Sequence, residues 1–169
     1  MSKNLQKKWF VQGNTIRYPY FGMIGVSFFL CLKLAMSASP EGEILDREIM
    51  KKYQKIVLQD PSNLNAHFNL GILYYRNAHL DEAIREFNKV LEINPNDSEA
   101  YYNLGNIFNK KALFDDAINS YKKALAMNPR DAEVFHNLGN AYASKGMIDD
   151  AISSYKKAVE INPKLAESY

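Results

Sequence analysis

Paired carboxylates are the residues of this 169-residue chain whose type and spacing most resemble a catalytic or metal site. Asp115-Asp116 recurs as Asp149-Asp150, 34 residues later. Adjacent carboxylates could bind a metal ion or share acid–base work. Each pair, however, opens a predicted helix, where negative charge stabilises the positive end of the helix dipole. We therefore interpret both pairs as helix-start residues.

No other motif in the sequence indicates catalysis. The three histidines, His67, His79 and His136, lack metal-ligand spacing, and no glycine-rich phosphate loop, zinc pair or nucleophile motif occurs. The single cysteine, Cys31, lies in an apolar run. The sequence therefore predicts a protein that is not an enzyme and has no catalytic residue, cofactor or metal ion.

Asparagines recur with the same 34-residue period as the carboxylates. An asparagine side chain offers two N–H donors and one acceptor, which match the groups of a peptide backbone. A row of such amides could hold an extended peptide, and aromatic neighbours such as Phe68 and Tyr75 could add apolar contacts. The alternative is that the amides are solvated or bridge neighbouring helices. The candidate partner-binding residues are Asn69, Tyr102, Asn103, Asn106, His136, Asn137 and Asn140.

The elements that must position these side chains also repeat every 34 residues. Pro95, Pro129 and Pro163 keep this spacing, and so do the Leu-Gly pairs that begin at Leu70, Leu104 and Leu138. A fixed period of this length indicates one supersecondary unit stacked on copies of itself. The apolar residues within each unit fall about one helical turn apart, which predicts two helices per unit. The predicted fold is an all-α solenoid, which offers an extended binding surface and no deep pocket.

The period divides the chain into segments. Ile49, Tyr53, Ile56 and Pro61 occupy the positions of Ala83, Phe87, Val90 and Pro95, so a half-repeat helix is expected before the first full unit. The expected segments are a half-repeat at 43–63, full units at 64–97, 98–131 and 132–165, and the start of a fourth unit at 166–169. Because solenoid ends need a cap, two interpretations are open: the natural chain continues beyond Tyr169, or the last helix, around Ile152, Tyr155 and Val159, contacts another copy or a partner.

The repeated motif resembles the tetratricopeptide repeat over residues 64–165. In the second unit the motif residues are Tyr101, Leu104, Gly105, Phe108, Ala117, Tyr121, Ala124 and Pro129. The first unit departs from the motif at His67, where an aromatic residue is usual, and at Val90, where alanine is usual. The recurring glycine predicts a close approach of the paired helix, with the recurring alanine, such as Ala117, on the facing side.

The resemblance also implies where ligands bind. In tetratricopeptide superhelices the first helices line a concave groove, and ligands usually lie there. The asparagine series is similar to that of the repeat domain of O-linked N-acetylglucosamine transferases, in which stacked amides hold an extended peptide. The resemblance therefore implies a protein or extended peptide as the partner in the groove.

The first forty residues differ in composition from the repeats. They contain five Lys and Arg and no acid, whereas residues 41–169 contain 16 Lys and Arg and 19 Asp and Glu. The repeat part is therefore mildly acidic and is not predicted to bind nucleic acid. A basic head at 1–17 precedes a hydrophobic segment at 18–39, which includes an uninterrupted apolar run from Phe21 to Leu32.

Three interpretations of the hydrophobic segment compete. We favour a membrane anchor through residues 18–38, because Lys33 can extend to the head groups and Tyr18 and Tyr20 suit the other interface. A cleaved signal peptide would have the same basic head and a small-residue exit at Ser37-Ala38-Ser39. The third interpretation is a hydrophobic arm buried in a partner. The positive charge of the head predicts a cytoplasmic N-terminus, with the repeats on the periplasmic or other extracytoplasmic side.

These observations together predict a non-catalytic, membrane-anchored scaffold or adaptor for protein–protein interaction. A short array of this kind would serve as a subunit or assembly factor of a larger complex. One alternative is a soluble secreted or periplasmic adaptor released by cleavage of the signal. Another is the accessory repeat arm of a longer enzyme such as a glycosyltransferase.

Overall fold

The computed structural model describes residues 40–164, which are all-helical and contain no strand. The seven helices of this part are α1 (Pro40–Gln59), α2 (Leu64–Arg76), α3 (Leu80–Ile93), α4 (Ser98–Lys110), α5 (Phe114–Met127), α6 (Ala132–Ser144) and α7 (Ile148–Ile161). The pairs α2/α3, α4/α5 and α6/α7 stack in order as a solenoid. The predicted hydrophobic segment and the start of the fourth unit lie outside the described residues.

Side-chain caps start the first helix of each pair. Asn63 accepts a hydrogen bond from the Ala66 amide at 3.0 Å, and Asp97 accepts one from the Ala100 amide at 2.8 Å. Asp131 accepts bonds from two amides of α6. Such caps satisfy amides that have no partner within the helix. The carboxylate pairs of the sequence lie in the first turns of α5 and α7, which have no side-chain cap. The structure places them where the sequence predicts.

The turn between paired helices uses a left-handed residue at one repeat position. Ala78 and Ala112 have φ of 60° and 58°, and Gly146 has φ of 78°. Of these three residues, only the glycine, Gly146, adopts this conformation without steric cost. The His79 amide donates to the Tyr74 carbonyl at 2.9 Å, and the other two turns repeat that bond. This closure satisfies carbonyls at the end of each first helix.

Each first helix contacts its second helix through a glycine and an aromatic ring. A Cβ atom built on Gly105 would lie 2.5 Å from the ring of Tyr121, and one on Gly139 would lie 2.6 Å from the ring of Tyr155. A Cβ atom built on Gly71 would lie 2.9 Å from the Phe87 ring. The aromatic ring is therefore the group nearest to each glycine, and a facing alanine such as Ala117 stays a prediction. The glycine is needed because the ring occupies the volume of a side chain.

The apolar core lies between successive units. One cluster of buried residues joins α3 to α4 through Phe87, Val90, Leu104 and Ile107. A second cluster joins α5, α6 and α7. At the edge of these interfaces Asp81 pairs with Lys111, and Asp115 pairs with Lys145. Exposed pairs of this kind add at most about 1 kcal/mol each, so burial of apolar residues holds the units together.

Polar contacts join α1 to the first repeat. Asp46 is buried and lies 3.5 Å from the Arg76 guanidinium. His67 is buried too, with Nδ1 2.7 Å from the Glu86 carboxylate and Nε2 3.0 Å from the Pro61 carbonyl oxygen. The departure from the repeat motif at His67 is therefore a link between α2, α3 and the turn that follows α1. Among residues 40–164, no helix is long and apolar enough to cross a membrane.

Candidate protein-binding face

The predicted binding residues lie on the first helices of the three units. Side chains connect α4 to α6 on this surface, and the Lys110 ammonium of α4 lies 5.2 Å from the centre of the Tyr75 ring of α2. The surface is therefore continuous across α2, α4 and α6, and we call it the first-helix face. Its residues are Phe68, Asn69, Ile72, Tyr75, Tyr102, Asn103, Asn106, His136, Asn137 and Asn140.

Three side chains of the first-helix face and the neighbouring Glu133 form a hydrogen-bonded cluster between α4 and α6. The Asn137 amide donates to the Tyr102 hydroxyl and to the Asn106 carbonyl oxygen, both at 3.2 Å. The Tyr102 hydroxyl donates to the Glu133 carboxylate at 2.5 Å. The structure thus brings together three of the predicted residues with Glu133, which the sequence did not single out. The amide of Asn137 bridges neighbouring helices, as the alternative interpretation expects.

Two asparagines hold tyrosine hydroxyls from the second helices. The Tyr121 hydroxyl donates to Asn106 Oδ1, and the Tyr155 hydroxyl donates to Asn140 Oδ1, both at 2.7 Å. In the first unit the same two positions are Phe87 and Ile72. A buried hydroxyl without a partner is costly, so tyrosine occurs with asparagine and phenylalanine with isoleucine. Asn106 and Asn140 therefore have a structural task in addition to any contact with a partner.

Burial strengthens the preference of the phenols in this region for the neutral form. It raises the pKa of Tyr121 well above its usual value. Burial also raises the pKa of Tyr102, to about 12, and the hydrogen bond to Glu133 adds to this effect. Both changes favour the neutral phenol. At neutral pH each hydroxyl is therefore a donor, as the bonds to Asn106 and Glu133 require.

The remaining two asparagines are more available to a partner. The Asn69 amide donates to the Asn65 carbonyl at 2.7 Å, and the Asn103 amide donates to the Glu99 carbonyl at 2.8 Å. Each side chain thus spends one N–H on its own helix, one turn earlier. Both side chains are half-buried. The predicted uniform row of amides is consequently divided into two surface amides and three that bind other side chains.

One repeat position of the first-helix face carries an aromatic ring in every unit, and each ring contacts the aromatic ring of the second helix in its own unit. Phe68 packs edge-on against Phe87 with ring centres 5.5 Å apart. Tyr102 and Tyr121 are 6.3 Å apart, and His136 and Tyr155 are 5.5 Å apart. The Asn140 amide donates to His136 Nε2 at 3.1 Å. His136 is thus part of the surface with its ring fixed by neighbours.

The cavities of the described residues are shallow grooves between helices. One of about 110 Å³ lies between the first turns of α4 and α6 and is lined by Glu99, Tyr102 and Asp131 among others. A larger one of about 540 Å³ lies on the second-helix side, against Leu91 and Phe108. Within residues 40–164, no three His, Cys, Asp or Glu side chains are close enough to hold a metal ion.

Family profiles identify repeats throughout the array. Tetratricopeptide-repeat profiles match residues 64–97, 86–119 and 132–165, and a TPR-repeat profile matches residues 114–146. Together these matches cover residues 64–165. No curated protein sequence matches this chain significantly.

Solved structures of MamA resemble this chain. A crystal structure of MamA protein has 28% identity and a TM-score of 0.67, covering 73% of this chain and 67% of MamA. Another has 25% identity and a TM-score of 0.68, covering 85% and 81%. MamA from Desulfovibrio magneticus RS-1 has 20% identity and a TM-score of 0.67, covering 81% and 75%. The last comparison shows similarity of fold alone.

The link between tyrosine and asparagine predicts a coupled effect on stability. Asn106→Ile should lower the free energy of unfolding by about 1–3 kcal/mol, because the Tyr121 hydroxyl loses its acceptor. Asn106→Ile/Tyr121→Phe should recover most of this loss, because it copies the Ile72 and Phe87 pair of the first unit. Urea unfolding of wild type, both single variants and the double variant measures the coupling. A double variant no more stable than Asn106→Ile would contradict the assignment.

Proposed function

The chain is a tetratricopeptide-repeat protein over residues 64–165, and on that premise we propose that it is a non-catalytic scaffold that binds a protein partner through the first-helix face. The observation that carries the proposal is the continuity of that face across three helices. Its aromatic rings are held by the core, and its central polar cluster is fixed by hydrogen bonds, so the surface is preorganised. Preorganisation lowers the entropic cost of binding.

The accessible amides suit an extended segment of the partner. Asn69 and Asn103 occupy the same position in successive units, and each keeps one N–H and its carbonyl oxygen for other contacts. A peptide backbone offers donors and acceptors that match these groups. Binding of this kind tolerates many sequences, which suits a subunit or assembly factor of a larger complex.

Site-specific cross-linking tests the binding surface. A photo-reactive phenylalanine analogue at position 103 should form a discrete adduct with a partner in cells, because Asn103 lies in the middle of the first-helix face. The same analogue at position 119 is the matched control, since Asn119 is an exposed asparagine on α5. Adducts are read as shifted bands and identified by mass spectrometry. Adducts from position 119 and none from position 103 would refute the proposed surface.

We also propose that residues 18–38 anchor the protein in a membrane, with the N-terminus cytoplasmic and the repeats on the extracytoplasmic side. The proposal is supported by the apolar run from Phe21 to Leu32, the basic head before it and the aromatic residues at its start. An anchored array would act where its complex assembles at the membrane surface.

A charge in the apolar run tests the anchor. Val26→Arg should move the protein from the alkali-resistant membrane pellet to the soluble fraction, because arginine at a helix centre costs about 2.5–3.5 kcal/mol on insertion. Val11→Arg in the basic head is the control and should stay in the pellet. Intact mass then separates the alternatives: a chain that starts after Ser37, Ala38 or Ser39 would indicate a secreted adaptor.

A second contact is proposed on the outer side of α7. Ile152 is 46% exposed, whereas Ile118, at the same position of α5, is 7% exposed because α6 covers it. Ile148 and Val159 add to the same apolar surface of α7. Single apolar residues at a surface are ordinary, but a row of them suits contact with another copy or a partner.

Light scattering in detergent tests this contact. The wild-type protein should form a dimer or larger species whose population falls with dilution, and Ile152→Glu should shift it towards the monomer. Ser153→Glu changes an exposed neighbour on α7 and is the matched charge control. A wild-type protein that is monomeric at every concentration, with no co-purifying partner, would count against the contact.

A further inference from the structure

Residues at equal repeat positions of the first-helix face change from apolar to polar along the array. The first row is Phe68, Tyr102 and His136, and the second is Ile72, Asn106 and Asn140. In each row the first unit supplies the apolar member. The three units therefore offer different chemistry to one partner segment, although their backbones repeat.

The first unit presents an apolar patch. Phe68, Ile72 and Tyr75 are each partly exposed and pack against the buried cluster that contains Phe87. Because Phe87 has no hydroxyl, nothing in this unit requires a polar group at position 72. Phe68 is fixed by its edge-on contact with the Phe87 ring. The patch thus offers a firm apolar surface to a side chain of the partner.

The second and third units present carboxylates at the first turns of their first helices. Glu99 lies in the first turn of α4 and Glu133 in that of α6, whereas the first turn of α2 has no acidic residue. Both side chains are exposed. Glu133 accepts the Tyr102 hydroxyl, and Glu99 makes no ion pair among residues 40–164. One side of the face is therefore acidic over these two units only.

A small cavity lies beside these carboxylates. Its volume is about 110 Å³, and Glu99, Tyr102, Ser98 and Asp131 are among its lining residues. The oxygens of Asp131 accept bonds from the Glu133 and Val134 amides and from Asn128. A water molecule has a share of about 30 Å³ in the liquid, so the cavity has room for an ammonium group. Neither carboxylate makes an ion pair among residues 40–164, but only that of Asp131 accepts hydrogen bonds there, so the Glu99 carboxylate is the one open to an ammonium group.

Two cations lie near the first-helix face, at the ends of α2 and α4 opposite to the carboxylates. Arg76 is in the last turn of α2 and pairs with Asp46 at 3.5 Å. Lys110 is in the last turn of α4 and lies over the Tyr75 ring. Neither cation pairs with Glu99 or Glu133. The acidic side thus remains available to a positive group on a partner.

We propose that the partner segment is amphiphilic, with one apolar side chain on the patch of Phe68, Ile72 and Tyr75 and one Lys or Arg side chain at Glu99 and Glu133. The occupant is an extended segment of another protein, and this inference rests on the proposed function of the first-helix face. Charge attraction at the acidic side would fix the direction in which the segment lies.

Selection from a random decapeptide library tests the partner chemistry. The library is displayed on phage and panned against the full chain in detergent micelles. Enriched peptides should share a Lys or Arg and a Leu, Ile, Phe or Met at a fixed spacing. Phage that still bind the Asn103→Trp variant are discarded, because its bulky side chain blocks the middle of the first-helix face.

Variants of the protein then test which part of the first-helix face binds each half of an enriched peptide. Glu99→Gln/Glu133→Gln should weaken binding about tenfold and remove the preference for lysine over norleucine in the peptide. Glutamine at position 133 still accepts the Tyr102 hydroxyl, and Glu160→Gln on the exposed surface of α7 is the charge control. Ile72→Asn, which places the residue of the other units in the first unit, should weaken binding about tenfold and leave the lysine preference intact.

The outcomes separate the inference from the proposed function. Enriched peptides that bind the first-helix face but lack a basic residue, or that bind the glutamine variant equally well, would overturn the cationic half. Peptides that are insensitive to Ile72→Asn would overturn the apolar half. Failure to enrich any peptide that depends on position 103, together with no adduct from that position in cells, would overturn the proposed function and the inference with it.

Discussion

The aromatic ring of each second helix fills the space where a side chain of the first helix would begin. Gly105 and Gly139 are required because a Cβ atom there would lie 2.5 Å from the ring of Tyr121 or 2.6 Å from the ring of Tyr155, closer than non-bonded carbon atoms approach each other. This packing sets the spacing of the paired helices. It also buries the far end of the ring next to the first-helix face, so the choice between tyrosine and phenylalanine in the core reaches the surface. The chemistry of the first-helix face therefore depends on the residues of the core.

That dependence explains why three similar units differ in what they offer a partner. Tyr121 and Tyr155 each bring a hydroxyl that an asparagine of the first-helix face accepts, whereas Phe87 allows isoleucine at the equivalent place. The side-chain amides of Asn106 and Asn140 therefore act mainly as acceptors for these buried hydroxyls. The isoleucine of the apolar patch and the asparagines at the same position of the other two units thus correspond to the absence or presence of one hydroxyl group on the ring.

Much of the fold follows from the 34-residue period, because helix caps, prolines and apolar residues all repeat with it. The period also places the carboxylate pairs in the first turns of α5 and α7.

Other features depend on coupling between positions, which a period alone does not express. The pattern did not predict that the ring of Tyr121 is the group nearest to Gly105, because a period does not show which of several buried residues lies across the helix. The link from His67 to Glu86 was not predicted, because the departure at His67 was not compared with the glutamate at position 86, where the other units have Ser120 and Ser154. The sequence predicted the asparagines of the surface, yet their division into surface amides and acceptors for Tyr121 and Tyr155 needed the side-chain geometry.

The central claim is that one continuous surface of α2, α4 and α6 receives the partner. Nuclear magnetic resonance of the asparagine side-chain amides tests it directly, since they occur on both sides of the array. On addition of a selected peptide, the account predicts that the signals of Asn69 and Asn103 shift progressively, while those of Asn88 and Asn119 on the second helices stay in place. Shifts confined to Asn88 and Asn119 would contradict it and would place binding on the opposite side of the solenoid.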